Sequence, residues 1–95
     1  MVTPAPGYTK DKHRLLQRLR RIEGQVRGIE RMVADDRYCI DVLTQVNAIK
    51  AALDRVALLL LHDHVDHCVA DAVRDGKGAP KLQELTTAIG RYLQG

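Results

Sequence analysis

The chain has 95 residues, a formal net charge of +3 and three aromatic side chains, all tyrosine, which bounds it to one small domain with an aliphatic core. It has no apolar run long enough to span a membrane, no serine nucleophile, no glycine-rich phosphate loop and no charged-then-apolar leader over Met1–Gly7. The expectation is therefore a cytoplasmic protein that is neither an enzyme nor membrane-bound.

Met1–Tyr8, with Pro4, Pro6 and Gly7, reads as a flexible arm, and residues 9–95 as a single helical domain. Three helices are expected, over about 10–34, 38–74 and 80–93. Thr9 is placed to cap the first, with Asp11 in its first turn. Leu15, Leu19, Ile22, Val26, Ile29 and Val33 then recur at alternating steps of four and three, the stripe of a packed helix. Gly24 and Gly28 interrupt it, and Asp35 and Asp36 end it or cap the next helix. Helix 2 carries Leu43, Val46, Ile49, Leu53, Val56 and Leu60 on one face. Leu58–Leu61 is apolar nearly all round, as in a turn buried on more than one side. With no proline or glycine between Cys39 and Arg74, this helix would be about 50 Å long and would need a partner along most of its length. Gly76, Gly78 and Pro80 form a break, and Leu82, Leu85, Ile89 and Tyr92 form the apolar face of a short third helix.

Cys39, His64 and Cys68 carry the most chemistry. His64 and Cys68 are four apart, hence on one helical face, and an offset of 25 residues returns Cys39 to within roughly 20° of that face. Along one straight helix, however, Cys39 and Cys68 would lie about 43 Å apart, too far to share a metal or a disulfide. They meet only if a second chain runs antiparallel, which makes a metal site and a dimer one expectation. Symmetry then puts the two-fold axis near residue 52, where Ala48, Ala51 and Ala52 allow close approach. Two thiolates favour Cu(I) or zinc over hard ions; three ligands suit trigonal Cu(I), whereas structural zinc takes four. His62 and His67 point elsewhere around the helix. The competing reading makes the cysteines small buried residues and His64 an ordinary hydrogen-bonded imidazole. Asp63 and Asp66 read as solvated helix residues.

Charge is uneven. Residues 1–37 hold nine Lys or Arg against five Asp or Glu, whereas residues 38–95 hold six against seven. Arg14, Arg18, Arg20, Arg21, Arg27 and Arg31 make helix 1 basic, suited to phosphates or else a solvated face paired with Glu23 and Glu30.

The stretch Arg18–Gly28 (RLRRIEGQVRG), with Tyr38–Val46 (YCIDVLTQV) and the later His64 and Cys68, resembles the CsoR/RcnR family of bacterial metal-responsive repressors over about residues 8–93. The Cys–His–Cys set matches the family's copper-sensing branch: nickel and cobalt sensors add a histidine near the N-terminus, where Val2 and Thr3 stand here, and end the set with His. Formaldehyde sensors lack the second cysteine, and persulfide sensors lack the histidine. The resemblance implies an all-α chain with a long helix 2, forming an antiparallel four-helix-bundle dimer and a dimer-of-dimers tetramer. It implies that Cu(I) bridges chains through Cys39, His64 and Cys68, that Tyr38 and Glu84 couple copper to DNA release, and that Arg18, Gln25 and Arg55, beside the basic Arg20 and Arg21, face double-stranded operator DNA. The expected function is a repressor that binds DNA without metal and leaves it with Cu(I), derepressing copper export or resistance genes. The alternatives are a thiol-redox repressor of the same fold, sensing persulfide or oxidant, and a metal-buffering helical bundle without a DNA role.

Overall fold

A computed structural model describes residues 7–95. The expected mobility of the arm falls mostly outside that range. Within it, Gly7–Asp11 form a 3-10 turn rather than a loose tail. Helix α1 follows over Lys12–Ala34, with Asp11 and not Thr9 at its N-cap position. Asp35 and Asp36 end α1 instead of capping the next helix. Asp36 takes a left-handed conformation (φ 56°), which a short polar residue tolerates. There the Asp36 N–H donates to the Val33 carbonyl at 3.1 Å and the Arg37 N–H to the Met32 carbonyl at 2.9 Å, a Schellman ending that satisfies the last carbonyls of α1.

Helix α2 spans Cys39–Asp63. The expected continuous α-helix over 38–74 is corrected here: the chain stays helical, but His64–Val69 wind into a π turn before α3, Ala70–Arg74. A second Schellman ending stops α3. Gly76 is left-handed (φ 76°), and the Lys77 N–H donates to the Ala72 carbonyl at 2.7 Å. The space around Gly76 is open, so the backbone conformation alone demands glycine there. Helix α4 then spans Gly78–Gln94, two residues longer at its start than the pattern suggested. A Cβ on Gly78 would fall 2.7 Å from Val73 Cγ2, so glycine lets the two helices meet closely.

The α1 stripe divides into two rows. Leu15 and Ile22 are buried and form a small core with Val56, against which Ile49, Ala52 and Leu59 of α2 pack. Leu19, Val26 and Val33 are exposed. On α2, Leu43, Val46, Leu53 and Leu60 are likewise exposed, and Leu58, expected inside an all-round apolar turn, is 68% exposed. The molecule measures 56 × 28 × 21 Å. Its surface of 7584 Å² is well above the roughly 5,500 Å² expected of a compact monomer of its 10.6 kDa mass. A single chain thus buries one side of the α1–α2 hairpin and leaves the other as apolar surface. Among the described residues, no helix is long and apolar enough to cross a membrane.

Candidate metal centre and basic groove

Cys39 is the first residue of α2 and is exposed. Tyr38 precedes it in extended conformation (ψ 136°), and the Tyr38 carbonyl accepts the Val42 N–H at 3.2 Å. His64 and Cys68 lie beyond the other end of α2, both in the π turn and both half-buried. The fold therefore brings His64 and Cys68 to one turn and holds Cys39 a whole helix away. Among the described residues, no three His, Cys, Asp or Glu side chains of the chain gather into a metal-binding group. That is what the length of α2 requires, since its 25 residues alone span about 37 Å. The donors fit a soft cation in chemistry: two free cysteines and an imidazole, none of them fully enclosed. Each end of α2 presents half of such a set.

The π turn was not foreshadowed by any proline or glycine. A π turn is an uncommon insertion that is often found at functional sites, and here it carries both His64 and Cys68. Around it the other two histidines differ: His62 has a carboxylate partner, whereas the buried Nε2 of His67 has none. His62 is exposed and pairs through Nδ1 with Asp66 Oδ2 at 3.2 Å. His67 is half-buried and backs onto the N-terminal turn, where a Cβ on Gly7 would fall 3.0 Å from His67 Cβ and 2.6 Å from the Asp63 carbonyl oxygen.

Asp63, expected to be solvated, is 2% exposed, and its Oδ2 has no hydrogen-bond partner. Burial pushes its carboxyl above the usual range; a hydrogen bond with Asp11 and the charge of that residue add to the shift, while Lys10 and His62 oppose it. The N-terminal turn thus lies against the end of α2 at a buried Asp63 carboxyl whose neutral form is favoured beside Asp11. Because the folded-state pKa lies above that of the unfolded chain, the stabilisation is complete below about 3.8 and declines as pH rises through the raised value. Asp63→Asn keeps a neutral hydrogen-bond donor at every pH. It is expected to melt above the parent protein at pH 8, with the gap closing towards pH 4. A variant that melts lower at pH 8, with an unchanged pH profile, would contradict the raised Asp63 carboxyl.

Beside the π turn, a cavity of about 470 Å³ separates α4 from α2. His64, Leu60 and Leu61 line one wall, and Glu84, Leu85, Ile89 and Tyr92 the other, with Tyr8 at its edge. Glu84, placed near the metal by resemblance alone, therefore shares a cavity with His64; its carboxylate also lies 3.8 Å from Lys81 Nζ. Tyr38 stays with Cys39, away from this cavity.

The basic residues converge separately. Arg18, Arg21 and Gln25 of α1 and Arg55 of α2 line one groove of about 290 Å³, floored by Ala48, Ala51 and Ala52. These alanines thus have a use within the chain: small side chains leave room between the guanidinium groups. Gln25 Oε1 is buried there without a partner. Arg20 lies outside this groove. Three guanidinium groups around one cleft form a receptor for phosphate oxygens.

The family model described as metal-sensitive transcriptional repressor matches residues 11–91. The copper-sensing transcriptional repressor RicR of Mycobacterium tuberculosis is 54% identical over 95 residues, covering 98% of this chain and 99% of that protein. The crystal structure of the copper-sensing repressor CsoR with Cu(I) from Geobacillus thermodenitrificans superposes with a TM-score of 0.86 at 45% identity, over 98% of this chain and 94% of that one. The nickel-responsive regulator InrS superposes at 0.73, also at 45% identity, over 84% of this chain and 90% of its own. One fold thus serves sensors named for two different metals, and the donor residues have to distinguish them.

Proposed function

The chain belongs to the metal-sensitive transcriptional repressors, and from that premise we propose that it represses transcription by binding operator DNA without metal and releases the DNA when it takes up Cu(I). Cys39 of one chain joins His64 and Cys68 of an antiparallel partner. The observation that carries this reading is the placement of Cys39 at the start of α2 and of His64 and Cys68 just past its end. Two-fold pairing of α2 along its length turns two half sets into two complete ones. Two thiolates with one imidazole suit Cu(I) better than nickel, which favours tetragonal nitrogen and oxygen ligands. The exposed apolar rows on α1 and α2 supply the surface for the dimer and for its assembly into a tetramer. Operator DNA lies against the groove of Arg18, Arg21, Gln25 and Arg55, with Arg20 contributing charge on the same helix.

Cys39 of one chain with His64 and Cys68 of its partner would hold Cu(I), which would supply a soft-metal tie between the two chains. A metal-bound histidine usually directs its second ring nitrogen to a hydrogen-bond partner. Glu84, across the cavity, supplies a carboxylate for that nitrogen, and Tyr38 stands beside Cys39. The α2–α4 unit is thereby biased towards an arrangement that fits DNA less well.

An anaerobic Cu(I) titration against a competing chelator, paired with DNA binding to the protein's own promoter, tests the reading. One tightly held Cu(I) per chain should accompany loss of DNA affinity. Failure to compete with the chelator, or full DNA affinity at saturation, would refute it.

A further inference from the structure

No Cα atom of α4 comes within 8 Å of a Cα atom of α2, although the two helices wall the same cavity. Helix α4 leaves α3 at the Gly76–Lys77 turn and passes the π turn, and its last turn reaches α2. There the Tyr92 hydroxyl donates a hydrogen bond to Asp54 Oδ1, 38 residues earlier in the chain. The contact also raises the Tyr92 phenol above its ordinary range, since donating this hydrogen bond to Asp54, burial and the charge of that carboxylate all favour the neutral form. Asp54 directly precedes Arg55, whose side chain lines the basic groove. Tyr92 itself lines the cavity that His64 and Glu84 share. This one hydrogen bond thus stands between the metal-side cavity and the residue next to the groove.

We propose that Tyr92 and Asp54 form a positioning latch, which holds α4 with Glu84 opposite His64 and passes the state of the metal site to the basic groove through the Asp54–Arg55 step of α2. The inference rests on the copper-responsive reading above. Neither residue is a metal ligand or a DNA contact. Both act by fixing where α4 sits. With the latch closed, a pull on Glu84 from the His64 side is transmitted through a helix anchored at both ends. With it open, α4 yields about its Gly76 hinge and absorbs the displacement.

Tyr92→Phe keeps the ring in the cavity wall and removes the donor. Asp54→Ala removes the acceptor, and Asp54→Asn retains one. Two readouts are needed on the full chain. In metal-free protein, amide hydrogen exchange over residues 78–94 should quicken in Tyr92→Phe and in Asp54→Ala but stay near wild type in Asp54→Asn. In the presence of Cu(I), chelator competition should show unchanged copper affinity in all three. The ratio of DNA affinities without and with copper should fall from an allosteric range of about 5–150-fold to within about threefold in Tyr92→Phe and Asp54→Ala. Asp54→Asn should recover most of it, and the double variant Tyr92→Phe/Asp54→Ala should be no worse than either single one, as for two ends of one contact. A merely structural loss would lower metal-free DNA affinity or melting temperature and leave that ratio intact. Should wild type respond to copper while Tyr92→Phe responds equally, or should exchange in α4 not change, the latch is overturned and copper sensing stands. A wild-type protein that keeps its DNA at copper saturation would overturn the function and the latch with it.

Discussion

Neither Cys39→Ala nor Cys68→Ala protein should hold Cu(I) against a chelator, yet unfolding and refolding the two together should restore binding. In Cys39→Ala every site keeps His64 and Cys68 and lacks the thiolate from the opposite chain; in Cys68→Ala every site keeps Cys39 and His64. An antiparallel hybrid of the two contains one site with all three donors and one site with only the imidazole. Random pairing makes half of the dimers hybrid, so the mixture should bind about a quarter of the wild-type copper, an expectation that follows from two-fold symmetry. A site confined to one chain predicts no recovery, because no single chain in the mixture has both cysteines. The effect is large because the loss of a thiolate removes one of the two strongest donors to a soft cation. Mixing with no recovery, despite confirmed hybrid formation, would place the donors within one chain, against the separation that α2 imposes on them.

That separation was legible from the amino-acid order. An uninterrupted helical pattern from Cys39 to Arg74 fixes a minimum distance between its ends whatever the details of winding, and the inter-chain site depends on nothing finer. The all-helical hairpin was legible for a similar reason: the alternating four-and-three stripe of α1 has no other use. The stripe does not say, however, which of its two rows is covered by the chain's own α2. Leu15 and Ile22 are buried while Leu19 and Val26 are exposed, and all four have the same aliphatic chemistry. Local propensity is equally blind to the π turn, because one extra residue in a helical turn needs no proline or glycine to mark it. Asp63 was misread for a different reason. Its partner Asp11 sits 52 positions earlier in a 3-10 turn, and a carboxylate at the end of a helix looks solvated until that turn is folded back over it. Residues that converge from distant stretches, such as Asp54 and Tyr92, leave no periodic trace. The groove of Arg18, Arg21, Gln25 and Arg55 was readable in part, since the helix 1 residues follow a turn-by-turn spacing, whereas Arg55 was brought in by resemblance.

His64→Ala should separate copper binding from copper response. The variant retains Cys39 and Cys68, and two thiolates from opposite chains suffice for a linear Cu(I) site, so chelator competition should still report one copper per chain. What disappears is the ring that lines the α2–α4 cavity opposite Glu84. Glu84 then has no partner there whose position depends on the metal, and α4 has no reason to move when the thiolates are occupied. Wild-type protein is expected to lose about 5–150-fold in DNA affinity on binding Cu(I), and His64→Ala no more than about threefold. Metal-free His64→Ala should bind DNA as wild type does, because the groove residues lie on α1 and on α2 at Arg55, two turns and more before the π turn. Glu84→Gln should fall between the two, since an amide oxygen still accepts a hydrogen bond but carries no charge to strengthen it. A His64→Ala protein that leaves DNA at the wild-type ratio would show instead that the thiolates alone carry the signal, by drawing the two copies of α2 together, and the cavity would then be a by-product of packing rather than the route from metal to DNA.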